Sequence, residues 1–214
     1  MSILLSLSRL IDRVTERVGH ALYWLILVTV LISAANAVVR KVFNYSSNSY
    51  LELQWYLFSA IFLGCAGYTL LKNEHVRIDV IGGRLSRRAQ VWIDVFGTIL
   101  FLLPMAILIG WLGWPLFVDA YVRDEVSTNA GGLTIWPARL LVPIGFLLLA
   151  VQGVSELIKR VAFLMGKAPD PAAEKTHEKS LEQQLAEDIV KSRGDEAIAA
   201  DIAAQAPKPD ERKP

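Results

Sequence analysis

Four stretches of this chain contain no Asp, Glu, Lys or Arg: Ala21–Val39, Leu53–Leu71, Val95–Val118 and Leu140–Ser155. Charge is scarce overall, at 20% of residues against 53% hydrophobic, and the mean hydropathy is +0.39. That balance excludes an ordinary soluble domain. Cysteine is nearly absent: the single Cys65 excludes an internal disulfide, says nothing about compartment, and reads as a small hydrophobe inside an apolar run. Histidine is scarce too. His20, His75 and His177 all fall outside the middles of the charge-free runs. A haem-binding bundle lacks its axial ligands, and an intramembrane Ser/His protease lacks its base. Ionisable groups are missing from the same middles, which hold only Asn36, Gln54, Gln152 and some Ser and Thr as polar residues. A self-contained ion pump or proton relay is thereby disfavoured. Phosphate-loop and dinucleotide fingerprints do not occur, and nothing points to nucleic acid.

What is present is span length. About 20 apolar residues cross a hydrocarbon layer roughly 30 Å thick. The runs are continuous rather than alternating, which predicts helices and not barrel strands. The expected fold is an all-α membrane protein with four transmembrane helices, at about 21–39, 51–71, 91–118 and 136–158. Arg139 lies near the outer end of the fourth. Pro143 is expected in that helix's first turns, where a missing N–H matters little, and Pro104 is expected to kink the third. The first run ends in an A-x-A-like pattern at Ala35–Ala37. Its span length, and the spans that follow, make it a retained span rather than a cleaved signal.

Basic residues set the expected orientation. Eleven lie before span one, between spans two and three, or just after span four; four lie on the opposite side. Both termini are therefore expected in the cytoplasm. Residues 1–167 carry net +5 and residues 168–214 net −4, which separates a membrane domain from a charged tail. Within the tail, "EKSLEQQLAEDIVKS" offers one apolar face through Leu181, Leu185 and Ile189, and "PKPDERKP" is expected to be disordered.

Two amphipathic surface helices are expected. In residues 3–18, Leu4, Leu7, Ile11, Val14 and Val18 recur at helical spacing, with Arg9, Asp12, Arg13, Glu16 and Arg17 on the remaining face. Such a helix lies in the headgroup plane before the chain turns into span one; a straight cytoplasmic extension of span one fits the same pattern. The second follows span two in "KNEHVRIDVIGGRLSRRAQ", where Val76, Val80 and Ile81 share a face before Gly82-Gly83 breaks it. Glu74, His75 and Asp79 gather ligating types there, but the spacing enforces no convergence on a metal. Small residues in "SAANA" and in "GCAG" at 64–67 permit close helix approach. Tyr23, Trp24, Trp55, Tyr56, Trp92, Trp111, Trp114 and Trp136 near span ends read as interfacial anchors. Glu52, Asp94, Arg139 and Glu156 sit at span ends, where interface or interhelix roles are expected.

A four-span chain with no catalytic or relay centre most readily serves as a partner subunit. Glu52 followed by "WYLFSAIFLGCAGYTLLKNEHVRIDVIGGRLSRRAQVWIDVFG" resembles the small membrane subunit of TRAP transporters, the DctQ-like family. That family has an acidic residue opening span two, a "(G/N)EH(V/I)R(V/I)D" element and a basic turn before span three; Glu52, Glu74, His75, Arg77 and Asp79 match. Span four is similar through Pro143, Gly145, Gln152 and Glu156. The resemblance covers about Leu22–Lys159. Two departures stand out: many relatives have two adjacent acidic residues where this chain has only Glu52, and the outer loop "DAYVRDEVSTNAGGLTIWPAR" is longer and Gly-rich. The resemblance implies a tripartite importer of organic acids or similar anions. A periplasmic binding protein captures the substrate and a large membrane subunit moves it, usually with sodium. The small subunit is then a non-catalytic, cofactor-free scaffold in the bacterial inner membrane, in contact with both partners and with phospholipids. On the residues alone, a membrane anchor of an oxidoreductase and a stand-alone small transporter remain open.

Overall fold

The computed structural model describes residues 2–45, 47–73 and 86–169. Helix α1 runs Ser2–Val42, α2 Asn48–Lys72, α3 Arg87–Val122 and α4 Trp136–Leu164, and all four are long and apolar enough to cross a membrane. Among the described residues the only β pairing is an isolated antiparallel bridge, Val126 to Thr134. The expected four-helix fold is therefore present. Residues 74–85, with Glu74, His75, Arg77, Asp79 and the second surface helix, and the tail from 170, lie outside the described residues.

Contacts fix the directions. Glu16 of α1 meets Lys72 of α2, and Leu22 meets Gly64, so these two helices are antiparallel. Leu63 and Gly67 of α2 meet Gly145 and Leu148 of α4 in parallel order. Leu102 and Leu103 of α3 meet Gly153, and Gly113 meets Val142, again antiparallel. Helix α4 is the hub, packing on all three others, while α3 packs chiefly on α4. The start of α1 and the end of α4 thus share one end of the bundle.

Glycines allow these contacts. A Cβ on Gly145 would sit 2.6 Å from Leu63 Cβ and 3.1 Å from its carbonyl oxygen, and one on Gly19 would strike the Tyr68 ring. Gly64 and Gly67 from "GCAG" pack as expected. The alanines of "SAANA" do not: Ala34, Ala35 and Ala37 are exposed on the outer half of α1.

Two features differ from the sequence reading, and a third, at Pro104, adds to it. Helix α1 is continuous for 41 residues, so no turn separates the segment 3–18 from span one. Gly19 lies within the helix and serves close packing against Tyr68. Pro104 does not break α3. A π-helical stretch, Thr98–Leu102, precedes it and restores α-helix at Leu103. Proline donates no N–H and its ring crowds the carbonyl four residues back; a wider turn relieves that crowding. Pro143 lies in the interior of α4, because the helix starts at Trp136 and Pro137 takes the first-turn place. Its ring fills the space beside Gly113.

Overpacking the α2–α4 contact is costly. Gly145→Ala should lower the stability of the detergent-solubilised chain by about 1–3 kcal/mol. Gly97→Ala, which meets nothing within 4 Å, should be neutral or stabilise by up to about 1 kcal/mol. Thermal midpoints compare the two, and equal midpoints would contradict the packing described.

Candidate functional site: a polar layer at each end of the bundle

Most soluble interiors are apolar. Here the buried residues include Ser8, Thr15, Glu52, Thr98, Gln152, Ser155, Glu156 and Arg160, while the large apolar side chains mostly point outward, Trp111 with 76% of its surface exposed. The polar groups gather in two layers.

The first joins α1 to α4. Gln152, Ser155, Glu156 and Lys159 follow i, i+3, i+4, i+7 spacing and share one face of α4; Ser8, Asp12 and Thr15 share one face of α1. Thr15 Oγ1 donates to Gln152 Oε1 at 2.8 Å, and Gln152 Nε2 donates to Asp12 Oδ1 at 2.9 Å. Both ends of the amide are used, which fixes its orientation. Ser155 Oγ donates to Asp12 Oδ1 at 2.8 Å, and the Ser8 and Ser155 hydroxyls are 2.7 Å apart. Each hydroxyl has a single proton, so Ser8 is the donor in that pair. Lys159 Nζ lies 3.1 Å from Asp12 Oδ2 and also contacts Glu156. Arg160 bridges Glu156 and, at 3.4 Å, Asp94 of α3. Lys72 of α2 reaches Glu16 at 3.3 Å. Every helix thus enters the layer, and Glu156, only 2% exposed, sits between two cations.

The second layer lies at the opposite end, where the α3–α4 loop folds over the start of α2. Glu52, 4% exposed, accepts hydrogen bonds from the Ser127 hydroxyl, from Asn129 Nδ2 at 2.8 Å and from the Leu133 N–H at 2.7 Å. Asn48 Nδ2 donates to the Ala130 carbonyl at 3.0 Å, Ser49 to that of Gly131, and the Tyr56 hydroxyl to that of Thr134 at 3.2 Å. The loop's own ladder adds Ser127 N–H to Leu133 O and Ile135 N–H to Glu125 O, both 2.9 Å. Gly131 takes φ +71, and a Cβ on Gly132 would sit 2.5 Å from that of Ser127. The loop's glycines are therefore required by its turn. Arg139 grips Glu125 through both guanidinium nitrogens, at 2.7 and 2.8 Å, a fork geometry of the strong kind.

The structure brings Gln152 and Glu156 together, sets Glu52 at the other end, and puts Pro143 in the α3–α4 contact beside an apolar cleft of about 520 Å³. Among the described residues no three His, Cys, Asp or Glu side chains are placed to hold a metal ion. Sequence reasoning missed Ser8, Asp12, Thr15 and Ser155 as one constellation; helical spacing on α1 and α4 was the available signal. Ser127 and Asn129 carried no local signal, since their partner is 75 or more residues away.

The family model for the DctQ component of tripartite ATP-independent periplasmic transporters matches residues 29–163. The chain belongs to that family. It is the small membrane component of such a transporter, a non-catalytic, multi-pass subunit that works with a large membrane subunit and a periplasmic binding protein. No protein of curated function matches the chain significantly.

The two layers make separable predictions. Glu52→Ala should free the loop, raising amide hydrogen exchange over residues 125–135 by about 10- to 100-fold, as expected from losing charge-assisted hydrogen bonds of about 1.5–3 kcal/mol. At the other end, a double-mutant cycle of Asp12→Ala and Lys159→Ala should give a coupling of at least about 1 kcal/mol in unfolding free energy. Additive effects would mean that the pair does not hold α1 to α4.

Proposed function

We propose, from membership in the DctQ family as premise, that this chain is the scaffold of a secondary active importer for organic acids or similar anions. It braces the large subunit in the bacterial inner membrane and helps seat the periplasmic binding protein. Both termini lie in the cytoplasm, as the distribution of Lys and Arg supports. The tail from 168 extends there as a charged appendage.

The observation that carries this reading is the mutual pairing of the buried polar groups in the α1–α4 layer. Asp12, Gln152, Ser155, Glu156, Lys159 and Arg160 bond one another across helices. A transport path needs polar groups that face water and exchange partners. Groups already held by neighbours stiffen a bundle instead. Outward, the helices offer apolar surface suited to a membrane partner, including the α3–α4 cleft. The latched loop 123–135 gives a shaped, Gly-containing surface at the opposite end, which suits a docking role. Glu52 acts as the anchor of that surface, Gln152 and Glu156 as structural residues, and Glu74, His75, Arg77 and Asp79 as a brace between spans two and three. Substrate and coupling-ion sites, sodium included, belong to the large subunit.

Reconstitution into proteoliposomes tests the reading. The large subunit with binding protein and this chain should take up substrate, and omission of this chain should abolish uptake. Uptake by this chain alone would refute the scaffold role. Glu52→Ala in the full complex should weaken the response to binding protein while complex yield stays normal.

A further inference from the structure

Helix α1 is too long for its task as a span. Its 41 residues extend about 62 Å at 1.5 Å per residue, against a bilayer of roughly 40–45 Å including headgroups. The excess lies at its start, where residues 3–18 present three distinct faces. One face, with Ser8, Asp12, Thr15 and Gly19, packs on α4 and α2. A second is apolar and exposed: Ile3, Leu7, Leu10 and Val14 follow spacings of four, three and four, and expose 81, 47, 53 and 47% of their surfaces. The third is a ridge of Arg9, Arg13 and Arg17, all exposed and spaced by four, so that they rise along the helix in steps of about 6 Å.

Among the described residues the charge on that ridge is uncompensated. The acids interleaved with it are spent elsewhere, Asp12 on Lys159 and Glu16 on Lys72. Arg9 meets only the Ser6 hydroxyl, at 3.2 Å, and Arg13 and Arg17 make no ion pair among the described residues. An apolar face beside a free cationic ridge, on a helix that continues into the membrane, matches the edge of a leaflet: acyl chains on one side, phosphates on the other.

We propose that α1 residues 3–17 form a binding surface for anionic phospholipid, with Arg9, Arg13 and Arg17 holding headgroup phosphates and Ile3, Leu7, Leu10 and Val14 lying against the acyl chains. The surface holds the start of α1 at the edge of the leaflet. By the proposed orientation this is the cytoplasmic leaflet. The lipid contact itself requires neither that orientation nor the scaffold role.

The test uses the full chain in detergent micelles, titrated with phosphatidylglycerol or phosphatidylcholine and read by native mass spectrometry. Phosphatidylglycerol should bind at least about tenfold more tightly, and the preference should fall about fivefold with each of Arg9→Gln, Arg13→Gln and Arg17→Gln. The triple Lys variant should keep the preference, and 1 M NaCl should weaken it in the unmodified chain. Equal binding of the two lipids, or an unchanged preference in the triple Gln variant with normal helix content, overturns the proposal. So does loss of the large subunit from the complex in that variant with lipid preference intact, which would assign the face to a protein. The readout needs no transport partner, so it is independent of the reconstitution that tests the scaffold role.

Discussion

A carboxylate, two serines, a threonine, a glutamine and a lysine from two helices must find one another, because a polar group buried between helices without a partner is costly. That constraint, met at Asp12, Gln152, Ser155 and Lys159, organises the rest. It demands that α1 and α4 lie in one register, since a slip of one residue rotates each side chain about 100° around its helix and separates the partners. It also demands close approach. The glycines supply it: Gly67 lets α2 sit against the Leu148 carbonyl, and Gly145 lets Leu63 touch the α4 backbone. Short polar side chains such as Ser8 and Ser155 can bond across helices only when backbones are this near.

The layer around Glu52 solves a different problem, the ordering of a loop. Backbone donors in a folded loop need acceptors. One carboxylate, Glu52, gathers three donors from residues 127, 129 and 133. An adjacent second acid would bring a like charge into a buried place already fully served by one. A second acid beside Glu52 is therefore not needed to order this loop. Arg139 and Glu125 tie the far side, so that the loop is held from α2 and from α4 at once.

How much of this was legible before the structure depends on the range of each interaction. The spans were, because a missing charge is a local property of sequence and 19 to 24 residues of it leave few alternatives. The continuity of α1 was not. The pattern of residues 3–18 fits a helix on a membrane surface and an extended span alike. Pro104 was legible as a disturbance but not as a π-helical one, since the relief comes from the carbonyls before it. Pro143 was given the first-turn place that Pro137 takes, although the span was expected to begin at Trp136. Gln152 was noted as a polar residue of its span and Glu156 as a span-end residue, and the resemblance marked both; but Gln152's partner Asp12 lies 140 positions away, and no local pattern announces such a pair. The clustered charges at 74–79, on which the resemblance drew, lie outside the described residues.

The placement of the two layers has a mechanical consequence. Polar ties at each end and an apolar middle make a bundle whose ends are specific and whose middle is held by shape alone. Dispersion contacts between apolar side chains have no angular preference, so small sliding in the middle costs little. A change at either end would break several directional bonds together and costs far more. The hub helix α4 belongs to both layers, through Arg139 at one end and Gln152 to Arg160 at the other. A force on the α3–α4 loop is therefore resisted at the opposite end by the same helix, through bonds that involve α1, α2 and α3.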